Sequence, residues 1–216
     1  MTVIAAMWDT DGSILIGADS KAVDPTTGIS YTVEKLKAHP SSVLVWGTSG
    51  ALSIGERFSE WLTAHDVAHS SWQELEGEIR KKVCDLNGNE RHLVRSSESE
   101  PDIGDAIRVL CAGYLNGAAK LFAVNDKGNC AITDAAGKPE AIARFEAIGG
   151  SAQARYIMLG IDYMLAYFAH FGVSAPFEGL PKMQLLFDAI TTRIEGCGPP
   201  MHIWRVGEKG IDKPMP

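Results

Sequence analysis

The order of strand-like and helix-like segments constrains the fold more than any other feature of the sequence. Short β-prone runs open the chain, two amphipathic helical segments follow, more β-prone runs come next, and a second helical pair precedes the last strands. Runs of strands and runs of helices, rather than strict alternation, are typical of sheets that bury a face against helices. The sequence therefore predicts an α+β fold in which two antiparallel sheets lie face to face, with helix pairs outside.

The first half of the chain is predicted to contain two hairpins. Residues 2–8 and 13–18 are apolar and β-prone, and the Asp-Thr-Asp-Gly sequence between them is a good hairpin turn. Residues 35–38 and 43–47 form the second pair, with a turn at residues 39–42.

Helical periodicity and turn signals predict the remaining elements. Ser71 is expected to cap the second helix and Ser151 the third, and Pro181 lies close to the first position of the fourth. The most loop-like segment is 95–105. The predicted helices cover about residues 51–64, 71–86, 151–171 and 181–195, and the later strands cover 106–114, 119–125, 130–133, a run ending at 148, 201–206 and a short return after 210.

Composition indicates a protein without nucleic-acid or membrane partners. The 216 residues fit one domain, which we place at residues 1–216, and the net charge is −7. No apolar stretch approaches the length of a membrane span. The cysteines have no C-x-x-C pair and the histidines no ligand spacing, so we expect reduced thiols, a cytoplasmic location, and neither a metal site nor a cofactor. The four cysteines are Cys84, Cys111, Cys130 and Cys197.

The N-terminus is a candidate catalytic group. Thr2 follows Met1 and directly opens the first predicted strand, with no leader before it. Removal of Met1 would give Thr2 a free α-amine, whose reference pKa is about 7.7–8.0. A Thr hydroxyl is too weakly acidic to attack a carbonyl alone, and an N-terminal amine is a recognised base that activates it.

Three further clusters lie at strand ends, and each also has a purely structural interpretation. Asp19 ends the second strand, where its carboxylate could orient a neighbouring ammonium or simply close the strand. Lys35 opens the third strand, where it could lower the pKa of a nucleophile or lie in solvent. Residues 47–51 lie at a strand-to-helix junction, where a backbone N–H could stabilise an oxyanion or the segment could be a tight turn.

Together these motifs resemble those of the proteasome β-subunit family, whose HslV-type peptidases and related bacterial homologues are nearest in length. The resemblance covers most of the chain and implies the N-terminal-nucleophile hydrolase fold, a four-layer αββα sandwich. It also implies self-association into stacked rings around a chamber. The motifs are Thr2 opening a strand, residues 18–20 closing its partner, Lys35 opening the next strand, residues 47–50 before the first helix, residues 147–151 before the third, and residues 196–198 before the last strands.

The resemblance implies a catalytic role for each matched residue. Thr2 would be the nucleophile and its own α-amine the general base. Asp19 would fix the electrostatics around that amine and Lys35, and Lys35 would lower the pKa of the hydroxyl. The backbone N–H of Gly50 would hold the oxyanion while an acyl-enzyme forms, which water then hydrolyses.

The resemblance also implies a substrate pocket and partners. Ala22, Thr48 and Leu52 align with residues that line the pocket beside the scissile bond. A pocket with Thr48 at its floor suggests neither a strongly acidic nor a strongly basic preference. The substrates would be unfolded proteins or peptides, and whether an ATPase unfoldase feeds the chamber stays open.

The chain departs from the family pattern at two places. The Ser that commonly supports the N-terminal amine corresponds to Gly150, so Ser151, one residue later, is expected to take that role. Near the last strands many members have an Asp and, three residues on, a Ser, whereas this chain has Glu195 and, two residues on, Cys197.

The sequence therefore predicts a threonine endopeptidase, and two other functions stay open. One is an N-terminal-nucleophile amidase that cleaves a small amide. The other is a non-catalytic ring subunit, although inactive subunits usually lose Thr2, Asp19 or Lys35, and this chain has all three.

Overall fold

The computed structural model describes residues 2–24, 27–67, 70–89, 106–133, 145–172 and 178–213. The helices in these ranges are α1 (Leu52–Ala64), α2 (Trp72–Asn89), α3 (Ser151–His170) and α4 (Leu180–Arg193). The strands are β1 (Val3–Trp8), β2 (Ile14–Asp19), β3 (Lys21–Val23), β4 (Ser30–Thr32), β5 (Leu36–Ala38), β6 (Leu44–Ser49), β7 (Arg108–Leu115), β8 (Ala118–Val124), β9 (Cys130–Thr133), β10 (Phe145–Gly149), β11 (Met201–Gly207) and β12 (Gly210–Asp212). Their pairings are antiparallel, which confirms the predicted α+β class.

The strands form two five-stranded sheets and a separate hairpin. The first sheet has the order β10-β1-β2-β11-β12 and the second the order β5-β6-β7-β8-β9, while β3 pairs only with β4. The β3–β4 hairpin is absent from the sequence prediction because strands of three residues are too short to show an alternating pattern. The first sheet places strands from both ends of the chain beside each other.

Strand β1 lies between two hydrophobic clusters. Every one of its residues is buried. Its odd-numbered residues join a cluster with α3 and α4, and its even-numbered residues join a cluster with the second sheet. A third cluster joins the second sheet to α1 and α2. Because both faces of β1 are covered, its sequence is a continuous apolar run rather than an alternating one.

The N-termini of α2 and α3 test the two predicted serine caps. Ser71 donates its backbone N–H to the Glu74 carboxylate at 2.9 Å and accepts the Glu74 N–H at 3.2 Å, a capping box that confirms the prediction for α2. The prediction for α3 is wrong, because Gly150 is the N-cap and Ser151 is the first helical residue. The predicted loop at 95–105 lies outside the described residues.

The structure also gives information on two predictions made from composition, those on the cysteines and on membrane spans. No disulfide joins Cys84, Cys111, Cys130 or Cys197 within the described residues. None of the helices in the described ranges combines the length and the hydropathy that crossing a membrane requires.

The contact between β2 and α4 predicts opposite effects for two identical substitutions. A methyl group on Gly17 would overlap the ring of Phe187, which is fully buried. We therefore expect Gly17→Ala to lower the free energy of unfolding by about 1–3 kcal/mol. Gly77→Ala is the control, because Gly77 is an exposed position in α2 with open space around it. Its free energy of unfolding should rise by up to about 1 kcal/mol. Urea denaturation measures both, and equal effects would contradict the packing.

Candidate active site

Thr2 is held beside a buried carboxylate at one end of the first sheet. In the pairing of β1 with β2, Ile4 lies opposite Ala18, which brings the start of β1 to the end of β2. The backbone N–H of Val3 donates to Oδ1 of Asp19 at 2.9 Å. Val3, the residue after Thr2, is therefore hydrogen-bonded to the Asp19 side chain.

Asp19 and Lys35 form a buried ion pair. Nζ of Lys35 lies 2.9 Å from each oxygen of Asp19, and it also donates to the carbonyl oxygen of Lys21 at 2.6 Å. The Asp19 side chain is completely buried and that of Lys35 is 6% exposed. The backbone N–H of Gly198 donates to Oδ2 of Asp19 at 3.4 Å, on the opposite oxygen from the one that Val3 contacts. The carboxylate thus has partners on both oxygens, as a buried charge requires.

Two glycines bring the end of β10 against Thr2. The N–H of Gly150 donates to the carbonyl oxygen of Thr2 at 2.9 Å. Gly149 has a φ of +78°, and a methyl group on it would overlap that same carbonyl and lie 3.5 Å from Cβ of Ser49. A side chain at position 149 would therefore push Thr2 away, so the Gly-Gly pair fixes the backbone of Thr2.

Gly50 joins β6 to α1 in a conformation that favours glycine. Its φ is +117°, and a methyl group on it would overlap the carbonyl oxygen of Ala106. The N-cap of α1 is Ala51, whose side chain has no hydrogen-bonding group, and the first turn of the helix contains no acidic residue. Within the described residues, the N-cap of α1 thus supplies no side-chain cap to the first N–H groups, which lie at the positive end of the helix dipole.

The predicted pocket residues lie on three different elements. Thr48, in β6, faces α1: a methyl group on Gly55 would lie 2.5 Å from Oγ1 of Thr48. Ala22, in β3, is half-buried and follows the residue whose carbonyl binds Lys35. Leu52 is the first residue of α1 and is 53% exposed.

The contacts join only part of the predicted site. They connect the Thr2 segment with Asp19 and Lys35, and they connect Thr2 with Gly150. Ser151 follows Gly150 directly, but its side chain lies outside the described residues. Its role in supporting the amine, like the roles of Gly50 and the pocket residues, stays a prediction.

Sequence reasoning missed the contributions of Lys21 and Ser20. Lys21 binds Nζ of Lys35 through its backbone carbonyl, and a pattern of side chains in the sequence cannot predict a backbone contact. Ser20 is fully buried and joins two segments through its backbone, donating to the carbonyl of Gly198 at 3.1 Å and accepting from Val33 at 2.8 Å. Its hydroxyl has no partner among the described residues. The signal that could have located this junction is the Gly-Cys-Gly sequence at 196–198.

Cys197 and Glu195 differ in their surroundings. Glu195 is exposed, whereas Cys197 is buried. Burial, and to a smaller extent the Asp19 carboxylate, raise the pKa of the Cys197 thiol; with the partial opposition of Lys35 and Lys21 the pKa is about 11. Cys197 therefore stays a neutral thiol near the buried ion pair at physiological pH.

Loss of Lys35 would leave the Asp19 charge buried without its cation. We expect Lys35→Met to lower the free energy of unfolding by about 3–5 kcal/mol. Lys37→Met is the control, because Lys37 is exposed and lies in β5, two residues after Lys35. It should change the free energy by about 0.5 kcal/mol or less. Denaturant titration measures the free energy of unfolding of both variants. Similar decreases in the two variants would show that the ion pair stabilises the protein no more than an exposed lysine does.

The raised pKa of Cys197 predicts slow alkylation. At pH 7.5 the thiolate fraction of a thiol with a pKa near 11 is about 10⁻³ or lower, and the thiolate is the reactive form. Native protein treated with iodoacetamide should be labelled first at Cys84, which is exposed. Peptide mapping by mass spectrometry reads out both sites, and unfolded protein is the control in which both should react. Equal native rates would be inconsistent with the buried thiol.

Three solved structures share this fold. Anbu (ancestral beta-subunit) from Yersinia bercovieri is 17% identical, with a TM-score of 0.66 over 98% of this chain and 86% of that one. The Anbu (Gly-1) mutant from Hyphomicrobium sp. strain MC1 is 14% identical, with a TM-score of 0.65 over 100% and 86%. A helical assembly of the Anbu complex from Pseudomonas aeruginosa is 15% identical, with a TM-score of 0.66 over 97% of this chain and 82% of that one. No family model and no curated protein matches the chain.

These similarities correct the assignment that was made from the motifs. The motifs indicated the proteasome β-subunit family, with HslV-type peptidases and related homologues nearest. That assignment is wrong: the similar structures are Anbu proteins. The motif residues lie at strand ends, where the arrangement of the strands brings them together. At 14–17% identity such residues report a shared fold and do not separate its branches. The comparisons therefore show that the chain has the fold of the Anbu structures over nearly its whole length.

Proposed function

We propose that the chain is a threonine-type endopeptidase of the cytoplasm, with one peptidase domain spanning residues 1–216. Thr2 is the nucleophile once Met1 has been removed, and peptide bonds of unfolded proteins or peptides are the substrates. The observation that carries the proposal is the bond from the Val3 N–H to Asp19, a fully buried carboxylate that is itself paired with Lys35. It supports the proposal because the Asp19–Lys35 ion pair is bonded to Val3, the residue directly after Thr2.

The proposed reaction proceeds through an ester. The α-amine of Thr2 takes the proton of the hydroxyl, and Oγ1 bonds to the substrate carbonyl carbon. The Lys35 charge favours the developing alkoxide, and the N–H of Gly50 donates to the oxyanion. The ammonium then gives its proton to the leaving nitrogen as the C–N bond breaks. Water, deprotonated by the same amine, attacks the ester and releases the acid and the free hydroxyl.

We further propose the four-layer αββα arrangement of an N-terminal-nucleophile hydrolase. Its support is the set of three clusters: one joins the first sheet to α3 and α4, one lies between the sheets, and one joins the second sheet to α1 and α2. In that arrangement Ala22, Thr48 and Leu52 line the pocket, and Ser151 supports the amine of Thr2.

Self-association completes the proposed function. A structure of a helical assembly has been solved for the Anbu complex from Pseudomonas aeruginosa, at 15% identity. We propose that copies of this chain assemble into rings that enclose the Thr2 sites in a chamber. An ATPase unfoldase would be a suitable partner, because folded proteins would have to be unfolded before they could enter.

The test is hydrolysis by a matched pair of threonine variants. Thr2→Ala should lower turnover of a panel of fluorogenic peptides by about 10³-fold or more, because it removes the attacking oxygen. Thr10→Ala is the control, because Thr10 is exposed in the turn after β1. Its turnover should match that of the unchanged chain.

Intact-mass analysis of the same samples should show chains that begin at Thr2. A fully active protein that retains Met1 would exclude the mechanism, because the amine would then lie in a peptide bond. Turnover of small amides without turnover of peptides would indicate an amidase instead. Undiminished turnover in Thr2→Ala would overturn the assignment of the nucleophile.

A further inference from the structure

The last residue of β6 is a serine that faces the first sheet. Ser49 ends the strand and is 7% exposed. In the same strand Val45 belongs to the cluster between the sheets, whereas Leu44 and Trp46 belong to the cluster with α1 and α2. Because side chains alternate between the two faces of a strand, Ser49 lies on the same face as Val45. Its hydroxyl is therefore on the side of β6 that the first sheet covers.

The contacts of two glycines show which part of the first sheet Ser49 faces. A methyl group on Gly47 would lie 2.7 Å from Cδ1 of Ile4 in β1. A methyl group on Gly149 would lie 3.5 Å from Cβ of Ser49, at the place where it would also overlap the carbonyl oxygen of Thr2. Two residues along β6 therefore correspond to two residues along β1. Gly47 lies opposite Ile4, and Ser49 lies opposite the Thr2 end of the strand.

The side chain of Thr2 is directed toward the same space. The even-numbered residues Ile4 and Ala6 of β1 belong to the cluster between the two sheets. Thr2 continues the pairing of β1 with β10, because its carbonyl oxygen accepts the N–H of Gly150 at 2.9 Å. The alternation of β1 thus extends to Thr2 and places its side chain on the face that β6 covers. The hydroxyl groups of Thr2 and Ser49 therefore face the same space between the sheets.

We propose that the Ser49 hydroxyl donates a hydrogen bond to the oxyanion that forms on the substrate carbonyl when Thr2 attacks it. Ser49 directly precedes Gly50, whose backbone N–H has the same role in the proposed reaction. A hydroxyl group rotates about its C–O bond, so it can turn its proton toward an oxygen that gains charge without any change of the backbone. Such a donor stabilises the oxyanion more strongly in a buried site than in water.

The charges of the site favour a neutral donor at position 49. Asp19 and Lys35 form an ion pair, so together they carry no net charge. The negative charge that develops on the substrate oxygen therefore needs hydrogen-bond donors of its own. A carboxylate at position 49 would repel that charge, and an alkyl side chain would offer it no bond. A serine hydroxyl meets the requirement, and serine side chains are among the groups that form oxyanion holes.

The proposal rests on the proposed function, because it gives Ser49 a role in the reaction of Thr2. The two can nevertheless fail separately. Loss of Thr2 removes the attacking oxygen and with it the reaction, whereas loss of the Ser49 hydroxyl leaves the attack in place and lowers its rate. An active chain whose rate is independent of Ser49 would contradict this proposal alone.

Steady-state kinetics of two matched serine variants test the role. Ser49→Ala should lower kcat for a fluorogenic peptide by about 10²-fold and change KM by less than about twofold, because the bond forms only in the transition state. Ser13→Ala is the control: Ser13 is also 7% exposed, but it lies at the other end of β2, where its hydroxyl donates to Asp11. It should keep the kcat of the unchanged chain. Equal kcat for Ser49→Ala and the unchanged chain would overturn the proposal.

A hydroxyl-retaining variant and the pH profile separate this role from others. Ser49→Thr keeps the hydroxyl, so its kcat should exceed that of Ser49→Ala by about tenfold. A lower kcat than that of Ser49→Ala would contradict the need for a donor. The pH profile of kcat/KM should have the same apparent pKa in Ser49→Ala as in the unchanged chain, because a hydroxyl donor does not titrate near neutral pH. A shifted profile would assign Ser49 to the α-amine of Thr2 and overturn the oxyanion role.

A peptide boronate gives a readout that needs no turnover. Its boron gains a bond to Oγ1 of Thr2, the hydroxyl proton passes to the α-amine, and a boronate oxygen takes the place of the oxyanion. Ser49→Ala should weaken this complex by about 10²-fold, as expected for a mimic of the transition state. The peptide amide of the same sequence forms no such bond and should bind both chains equally.

Unchanged affinity of Ser49→Ala for the boronate would overturn the proposal. An unchanged chain that neither cleaves peptides nor binds the boronate would overturn the proposed function, and the role of Ser49 with it.

Discussion

The buried ion pair of Asp19 and Lys35 is the interaction on which the geometry of the candidate site depends. A fully buried carboxylate is stable only if donors reach it from fixed directions, and here they come from Val3, Lys35 and Gly198. These residues lie at the start of β1, before β5 and before β11. One charge therefore holds together three segments that are far apart in the sequence, and it does so directly beside Thr2.

Glycines supply the close approach that the ion pair alone does not. Gly149 and Gly150 bring the end of β10 onto the carbonyl of Thr2, and Gly50 turns the chain from β6 into α1 at a positive φ. At Gly149 and Gly50 a side chain would overlap a backbone carbonyl, whereas Gly150 contributes its N–H. The position of Thr2 is therefore fixed from both sides of β1, by charge on one side and by the lack of side chains on the other.

The sequence predicted what depends on local pattern and missed what depends on backbone contacts. The longer strands and the four helices of the described residues were predicted because their apolar periodicity extends over many residues. Asp19 was recognised at the end of one such strand, β2, whereas Lys35 precedes the three-residue β5 and was recognised together with the other motifs. The β3–β4 hairpin is too short for periodicity. The carbonyl of Lys21 and the N–H of Gly198 are groups that every residue has, so their role appears only when the fold brings them to the ion pair. The branch of relatives could not be predicted because the motifs report strand arrangement alone.

Helix α3 connects the candidate site with the core of the first sheet. Its N-terminus is Gly150, which bonds to the carbonyl of Thr2, and its buried side packs in the cluster of the first sheet. Its exposed side, with Tyr156 and Tyr163, faces solvent. Because the same helix begins at the residue that bonds to Thr2 and packs its other side into the core, the packing of α3 and the position of Thr2 depend on each other.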